Sequence, residues 1–300
     1  MNPNRFSVYM RSVDASYLEE AQRTVPDKKR RIIKWLLPKV ICLAILVIGL
    51  VVWRPWLDMQ DAVTAEAVAE AGYELPKPDG VQNVAYSFVE LEGQSESAAQ
   101  IEFTVSTTAY TVRALHTNAP CNIEQMAAVS DPLSWTDGEF SFAVYSAEGN
   151  MSVLNWHDSS KGVQYALIAA GDKMELLDIG IDVFNEMGSS LAAAPEGAVS
   201  IVFDVFEDFG TVIRQTEFIL DFDRFFFRAA ELPDTDISGE TVGGEVRSIS
   251  IDGIDAQLSL GTDGTGKLIW TNASGTSCSL FMPKDAGEEK LLSVARTLIP

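Results

Sequence analysis

Gly261-Thr262-Asp263-Gly264-Thr265-Gly266-Lys267 carries the spacing of a phosphate-binding loop: a glycine, four residues, then Gly-Lys. Such a loop cradles phosphate oxygens in backbone N–H groups and holds magnesium through a Ser or Thr after the lysine. Here Leu268 follows the lysine, and the run leads into a strand-like stretch ending at Trp270, so a hairpin turn is expected. Asp234, Asp236, Ser238 and Glu240 put oxygens at alternate positions, without the twelve-residue calcium-loop pattern and its closing Glu. A solvated turn is expected there. His116 and His157 have no neighbouring His or Cys and no HExxH context, and no Gly-x-Ser-x-Gly elbow occurs. Trp156 and Trp270 have faces that would stack on a sugar, but they recur at matching positions and read better as core aromatics. The expectation is no catalytic residue, no metal ligand set and no cofactor site.

The elements that would position any such residue come in two sets. Glu102-Phe103 recurs as Glu217-Phe218, and Tyr110-Thr111-Val112-Arg113-Ala114 as Phe225-Phe226-Phe227-Arg228-Ala229, both 115 residues on. Leu154-Asn155-Trp156 recurs as Leu268-Ile269-Trp270, 114 on, and Leu176-Leu177-Asp178-Ile179 as Leu291-Leu292-Ser293-Val294, 115 on. Four matches in one order at almost one offset predict tandem copies, residues 81–187 and 198–300, joined through Gly188-Ser189-Ser190 and Glu196-Gly197.

Period-two alternation predicts strands at Gln100–Ser106, Ala109–Leu115, Phe140–Tyr145, Met151–Trp156 and Gln164–Ala169 in the first copy. The second offers Val199–Phe206, Val212–Leu220, Phe225–Ala230, Val246–Ile251, Ala256–Leu260, Lys267–Trp270 and Ser277–Met282. A closing helix follows each, inward through Met174, Leu177, Ile181 and Phe184, and through Leu291, Leu292, Ala295 and Leu298. An antiparallel sheet closed by one C-terminal helix, made twice, is an α+β fold. Cys121 and Cys278 fall at non-equivalent places, so a disulfide between them would have to join the copies.

Charge divides the chain. Lys and Arg total 22 against 43 Asp and Glu, a net −21 with pI near 4.4, which disfavours a nucleic-acid partner. Three Cys and two His are too few for a zinc cluster of the usual repeated spacing. Residues 1–39 nevertheless hold nine basic and four acidic side chains, net +5, whereas the region from Pro55 onward is net −27. Between them, Val40 to Trp53 is uncharged and apolar all round. Taken from Leu36 to Trp56 it spans about 31 Å as a helix, enough for a bilayer core if Lys39 snorkels to the headgroups. Trp35, Trp53 and Trp56 stand at the two interfaces.

A globular helix would show a polar face, and a cleaved signal peptide would have a shorter leader and a nearby small-residue cleavage site. The reading is therefore a signal anchor over residues 35–56, with Lys28-Lys29-Arg30-Arg31 holding the N-terminus in the cytoplasm. Residues 1–34 form a cytoplasmic tail in which Tyr9, Val13, Tyr17, Leu18 and Ala21 make an amphipathic stripe from Tyr9 to Thr24. Residues 57–80, Ala-rich and then broken by Pro76, Pro78 and Gly80, read as a membrane-proximal helix and linker.

The tail Val13-Asp14-Ala15-Ser16-Tyr17-Leu18-Glu19-Glu20-Ala21, followed by a basic cluster and a single span, resembles the opening of Gram-positive (Firmicutes) single-pass membrane proteins of the anti-sigma-factor-like kind. Their outer region is a domain of unknown function. Its closing strand-strand-helix is similar to Trp156, Gly162-Val163-Gln164-Tyr165-Ala166-Leu167 and Leu176-Leu177-Asp178-Ile179. Residues 1–39 hold none of the His or Cys of zinc-bearing anti-sigma factors. The resemblance implies a membrane-anchored extracytoplasmic sensor whose Tyr9–Thr24 helix meets a cytoplasmic protein. The alternative is a cell-envelope binding or assembly module with no signalling role. In either case the acidic outer region favours a neutral or cationic ligand, and action by binding is expected over turnover.

Overall fold

The alternating stretches form fourteen strands: β1 (Gln82–Glu90), β2 (Ser97–Val105), β3 (Thr108–His116), β4 (Leu133–Asp137), β5 (Phe140–Ala147), β6 (Met151–Asp158), β7 (Val163–Ala170), β8 (Val199–Asp208), β9 (Thr211–Leu220), β10 (Asp223–Ala230), β11 (Val246–Ile251), β12 (Ile254–Leu260), β13 (Gly266–Thr271) and β14 (Ser277–Met282). Three helices join them: α1 (Ala65–Glu70), α2 (Lys173–Glu186) and α3 (Glu288–Leu298). The structure is a computed structural model and describes residues 63–299. The expected Tyr9–Thr24 helix and the Leu36–Trp56 span lie outside the described residues. Among the described residues no helix is long and apolar enough to cross a membrane.

The strands make two seven-stranded antiparallel sheets, an α+β-like arrangement with few helices. The first has the order β1-β2-β3-β7-β6-β5-β4, and the second, read from its first strand, β8-β9-β10-β14-β13-β12-β11. The two orders are the same: a three-stranded meander, the seventh strand returning beside the third, then the sixth, fifth and fourth outward. Register agrees as well. Arg113 pairs with Ala166 and Arg228 with Ser279, while Trp156 pairs with Tyr165 and Trp270 with Cys278. Arg113 and Arg228 thus hold one place in the pattern, and Trp156 and Trp270 another.

One face of each sheet carries the apolar set. In the first, Ile101, Val112, Phe142, Leu154, Trp156, Tyr165 and Leu167 form one core with the buried side chains of α2. Asp172 caps that helix by accepting from the Glu175 N–H at 3.0 Å, and it buries Leu176, Leu177, Gly180, Val183 and Phe184. Met174 and Ile181, expected inward, are only half-buried. The reason is Gly180, where a Cβ would come 3.0 Å from Leu154 Cδ2 and 3.2 Å from Leu191 Cδ2. The helix approaches the sheet most closely there, which brings Leu176 and Val183, one turn away on either side, to the inner stripe.

Phe203 and Val205 of β8 join the first copy's core cluster, so the other side of α2 is covered by the second copy. The connector is likewise packed, with Leu191 and Ala192 buried. Residues 63–80 lie against the first copy: α1 is six residues long, Tyr73 and Leu75 pack on the first core, and Val63 bridges Tyr86.

Candidate functional site

The opposite face of each sheet is overlaid by the loop between its third and fourth strands, and one arginine holds that loop down. Arg113 on β3 donates from Nε to Gln100 Oε1 (2.7 Å) and from one terminal nitrogen to the carbonyls of Ile123 (3.0 Å) and Glu124 (2.8 Å). Arg228 on β10 repeats this with Gln215 Oε1 (2.7 Å) and the carbonyls of Ile237 (3.2 Å) and Ser238 (2.6 Å). Burial lowers the Arg113 pKa, opposed by the charges of Glu124 and Glu102. Gly239, at φ +66°, lies against the Arg228 guanidinium, leaving no room for a side chain.

Beneath the first clamped loop lies a cavity of about 550 Å³. Its floor is the second face of β4 to β7, because strand alternation brings Ser134, Thr136, Ser141, Ala143, Asn155 and Gln164 to that face. Small residues at 134, 141 and 143 leave the space open. Pro120, Cys121, Asn122 and Glu124 of the loop form its roof, and Glu231 of the second copy closes one side by accepting from Thr136. Trp135 and Phe142 also contribute to the wall, although their rings stack 4.8 Å apart within the core on the other face.

Three buried acceptors of residues that line this cavity have no hydrogen-bond partner: Glu124 Oε2, Asn155 Oδ1 and Gln164 Oε1. Glu124 is 3% exposed and Gln164 2%. Neighbouring contacts fix the orientation of each. The Tyr145 phenol donates to Glu124 Oε1, Asn155 Nδ2 donates to the Tyr145 oxygen at 3.2 Å, and Gln164 Nε2 donates to the Tyr165 carbonyl at 2.9 Å. Turning either amide would set its oxygen against the acceptor its nitrogen now serves, so the amide orientations are fixed, with all three oxygens closed to solvent. No ion pair reaches Glu124 among the described residues. An unmade buried acceptor costs about 1–3 kcal/mol, so the wall of this cavity carries an uncompensated polar cost.

Burial acts on two groups here, the Cys121 thiol in the cavity's roof and the Tyr145 phenol beside Glu124. Burial, then the bond to Glu124 and its charge, push the Tyr145 phenol well above its ordinary value, against a smaller lowering by Asn155. Burial also raises the Cys121 thiol, opposed by Thr117 and reinforced by Glu124.

The second sheet has a cavity of about 730 Å³ at the matching place, lined by Asp234, Asp236, Ser248, Gln257 and Ile269 among others. Its chemistry differs, since Ile269 stands where the first sheet has Asn155 and Ser277 where it has Gln164.

The residues singled out in the sequence are accounted for elsewhere. The Gly261–Lys267 run is the β12–β13 hairpin, and a Cβ on Gly266 would meet Ala286 and, at 2.9 Å, Leu291 Cδ1 of α3. Asp236 accepts from Ser238 through Oδ1 and pairs with Lys267 through Oδ2 at 2.6 Å, with Glu240 contributing its carbonyl to the same lysine at 2.7 Å. His116 packs against Tyr73 at a tilt, ring centroids 4.6 Å apart, and His157 is buried with Nε2 3.1 Å from the Thr117 carbonyl. Trp156 and Trp270 are core residues at 0% and 2% exposure. Cys121 and Cys278 are free thiols.

Sequence reasoning missed Glu124, Tyr145, Asn155 and Gln164 as site residues. A signal was present: Asn155 lies between Leu154 and Trp156, and Gln164 between Val163 and Tyr165, polar residues in strands apolar on both sides. Compared with known protein families, curated proteins and solved structures, the chain has no match.

Proposed function

We propose that this chain is a single-pass membrane protein of the anti-sigma-like kind, a sensor that binds a small ligand outside the cell membrane. The ligand enters the first-copy cavity. Residues 35–56 anchor the chain, with residues 1–34 in the cytoplasm and residues 57–300 outside. One observation carries the binding reading: a cavity of small-molecule size lies under the loop that Arg113 holds, with Glu124, Asn155 and Gln164 in its wall. The change of net charge from +5 to −27 across an uncharged apolar run supports the topology. Binding is favoured over turnover because burial raises the pKa of the Cys121 thiol and the Tyr145 phenol, away from the ionised forms that act as nucleophiles.

A second reading, an envelope assembly module with a tail that serves only insertion, draws on exposed apolar groups at one end of the β8–β9 pair. Phe222, in the turn after β9, is fully exposed, with Val199 and Val202 exposed on β8. Two arms of one experiment decide. Protease added to intact spheroplasts should digest residues beyond Trp56 and spare an N-terminal tag; a protected C-terminal tag would refute the topology. Deleting residues 2–25 while keeping the basic cluster should abolish the transcriptional response under the sensor reading. An unchanged response would select the assembly module.

A further inference from the structure

The two copies differ at one edge. In the first, β4 is the outer strand, and the second copy closes it: the Thr136 N–H donates to Glu231 Oε1 at 3.2 Å, while Phe203 and Val205 of β8 join the core against α2. In the second, β11 and α3 hold the places of β4 and α2, and both are left open. Leu177, Val183 and Phe184 of α2 are buried, whereas Leu292, Leu298 and Ile299, each 115 residues on, are half-exposed. Ser250 stands where Thr136 does, one pair in from a two-residue hairpin turn. The closing pair of such a hairpin is hydrogen-bonded, so Ile249 and Ile251 turn their N–H and C=O groups to β12, and Ser248 and Ser250 turn theirs outward.

The other three outer strands are each guarded against a further strand. β1 and β8 carry register shifts at Gln82/Ala85 and Val199/Val202, and β4 is five residues long and capped by Glu231. β11 pairs with β12 from Val246 to Ile251 with no shift and no proline, and its Val246, Ser248 and Ser250 are exposed. Its one charge, Arg247, is already paired with Glu288 of α3 at 2.9 Å. Local charge selects the occupant. β11 and α3 carry Arg247, Lys290 and Arg296 against Glu288 and Glu289, net +1, within a region that is net −27 from Pro55 onward. Two copies of so acidic a chain repel over most of their surface and meet with least repulsion here, whereas a basic partner gains no attraction from this face.

We propose that β11 and α3 join two copies of this chain about a twofold axis, β11 pairing antiparallel with β11 of the second copy so that two seven-stranded sheets become one. Self-complementary association of this kind is the commonest in oligomers. A twofold perpendicular to the sheet keeps opposed side chains on one face. The outward-turned groups then set Ser248 against Ser250 of the second copy, and Ile249 against its own counterpart. Because β8 meets both β4 and α2 in the first copy, the matching open side of α3 lies toward the β11 edge. Leu292, Leu298 and Ile299 are thus covered by the same joint that completes the strand.

The full-length chain in density-matched detergent micelles is followed by sedimentation equilibrium. A monomer–dimer equilibrium with Kd below about 100 µM is expected, with no larger species. Ser248→Pro removes an outward N–H that β12 does not use, and Leu292→Lys places a charge on the half-exposed side of α3; each should raise Kd about tenfold or more. Ile249→Cys under mild oxidation should give a disulfide-linked dimer absent from the wild-type chain, since opposed residues of such a pair lie about 4.5 Å apart at Cα. A chain that stays monomeric throughout, or a dimer unchanged by both Ser248→Pro and Leu292→Lys, would overturn the proposal. Species growing beyond the dimer would replace the twofold with a head-to-tail contact and overturn it too. Weakening by Leu292→Lys alone, with no Ile249→Cys crosslink, would overturn the strand pairing.

Discussion

Replacing Arg113 by Met removes the guanidinium and keeps most of the stem. Three acceptors then lose a charged donor: Gln100 Oε1 at 2.7 Å and the carbonyls of Ile123 at 3.0 Å and Glu124 at 2.8 Å. Gln100, Ile123 and Glu124 are all buried, so water does not readily replace what is lost. Each unmet acceptor costs about 1–3 kcal/mol, offset in part because a buried guanidinium no longer has to be desolvated. The net loss should be about 2–4 kcal/mol. It should be read from the urea midpoint of the full-length chain at unchanged m, with faster proteolysis within residues 117–130 as the local readout. Arg228→Met, with the same three kinds of partner, should lose a similar amount, and the double variant should be additive within about 0.5 kcal/mol because the two share no partner. A loss below about 0.5 kcal/mol for Arg113→Met would refute the clamp.

Three further outcomes are expected. Trp270→Ala should destabilise by about 3–5 kcal/mol in urea, as for other buried aromatics, whereas a near-neutral value would mean the indole is not a core residue. Burial raises the Asp236 pKa, but hydrogen bonds from Lys267 and Ser238 outweigh it and leave the folded value below the ordinary 3.8. The carboxylate therefore stabilises the fold above about pH 4, and that advantage over Asp236→Asn should shrink as pH falls through the lower folded value, so a gap that widens in acid would contradict the pairing. Burial pushes the Cys278 thiol up to about 12, so it should resist thiol reagents at pH 8 in the native protein and react on unfolding.

The parts of the fold legible in the sequence are those with buried alternating side chains. Every strand of the second sheet shows that alternation, and the recurrence of Arg113 as Arg228 and Trp156 as Trp270 anticipates the shared strand order. Two strands of the first sheet escaped, and both lie at its edges. Every residue of β1 is at least partly exposed, and β4 is five residues long with Trp135 its one buried side chain, so neither displays the period on which a strand assignment depends. The inner face of α2 was misplaced because Gly180 contributes nothing to an apolar stripe yet marks the closest approach to the sheet.

The site was less legible for a different reason. Its members come from a loop, β5, β6 and β7, and only the return of the seventh strand beside the third brings Asn155 and Gln164 beneath the loop that Arg113 holds. Asn122-Ile123-Glu124 and Asp236-Ile237-Ser238 are equivalent loop segments whose likeness in sequence is a single isoleucine.

The central claim is that the cavity of the first sheet, roofed by the loop that Arg113 holds, is where the chain binds its ligand. The most direct test is an experimental high-resolution structure of the full-length chain purified from its own membrane with its ligand bound. The account predicts ligand density among Ser134, Ser141 and Ala143 beneath Pro120, Cys121 and Asn122, with Arg113 still on the carbonyls of Ile123 and Glu124. A ligand bound elsewhere, with only water in that cavity, would contradict it.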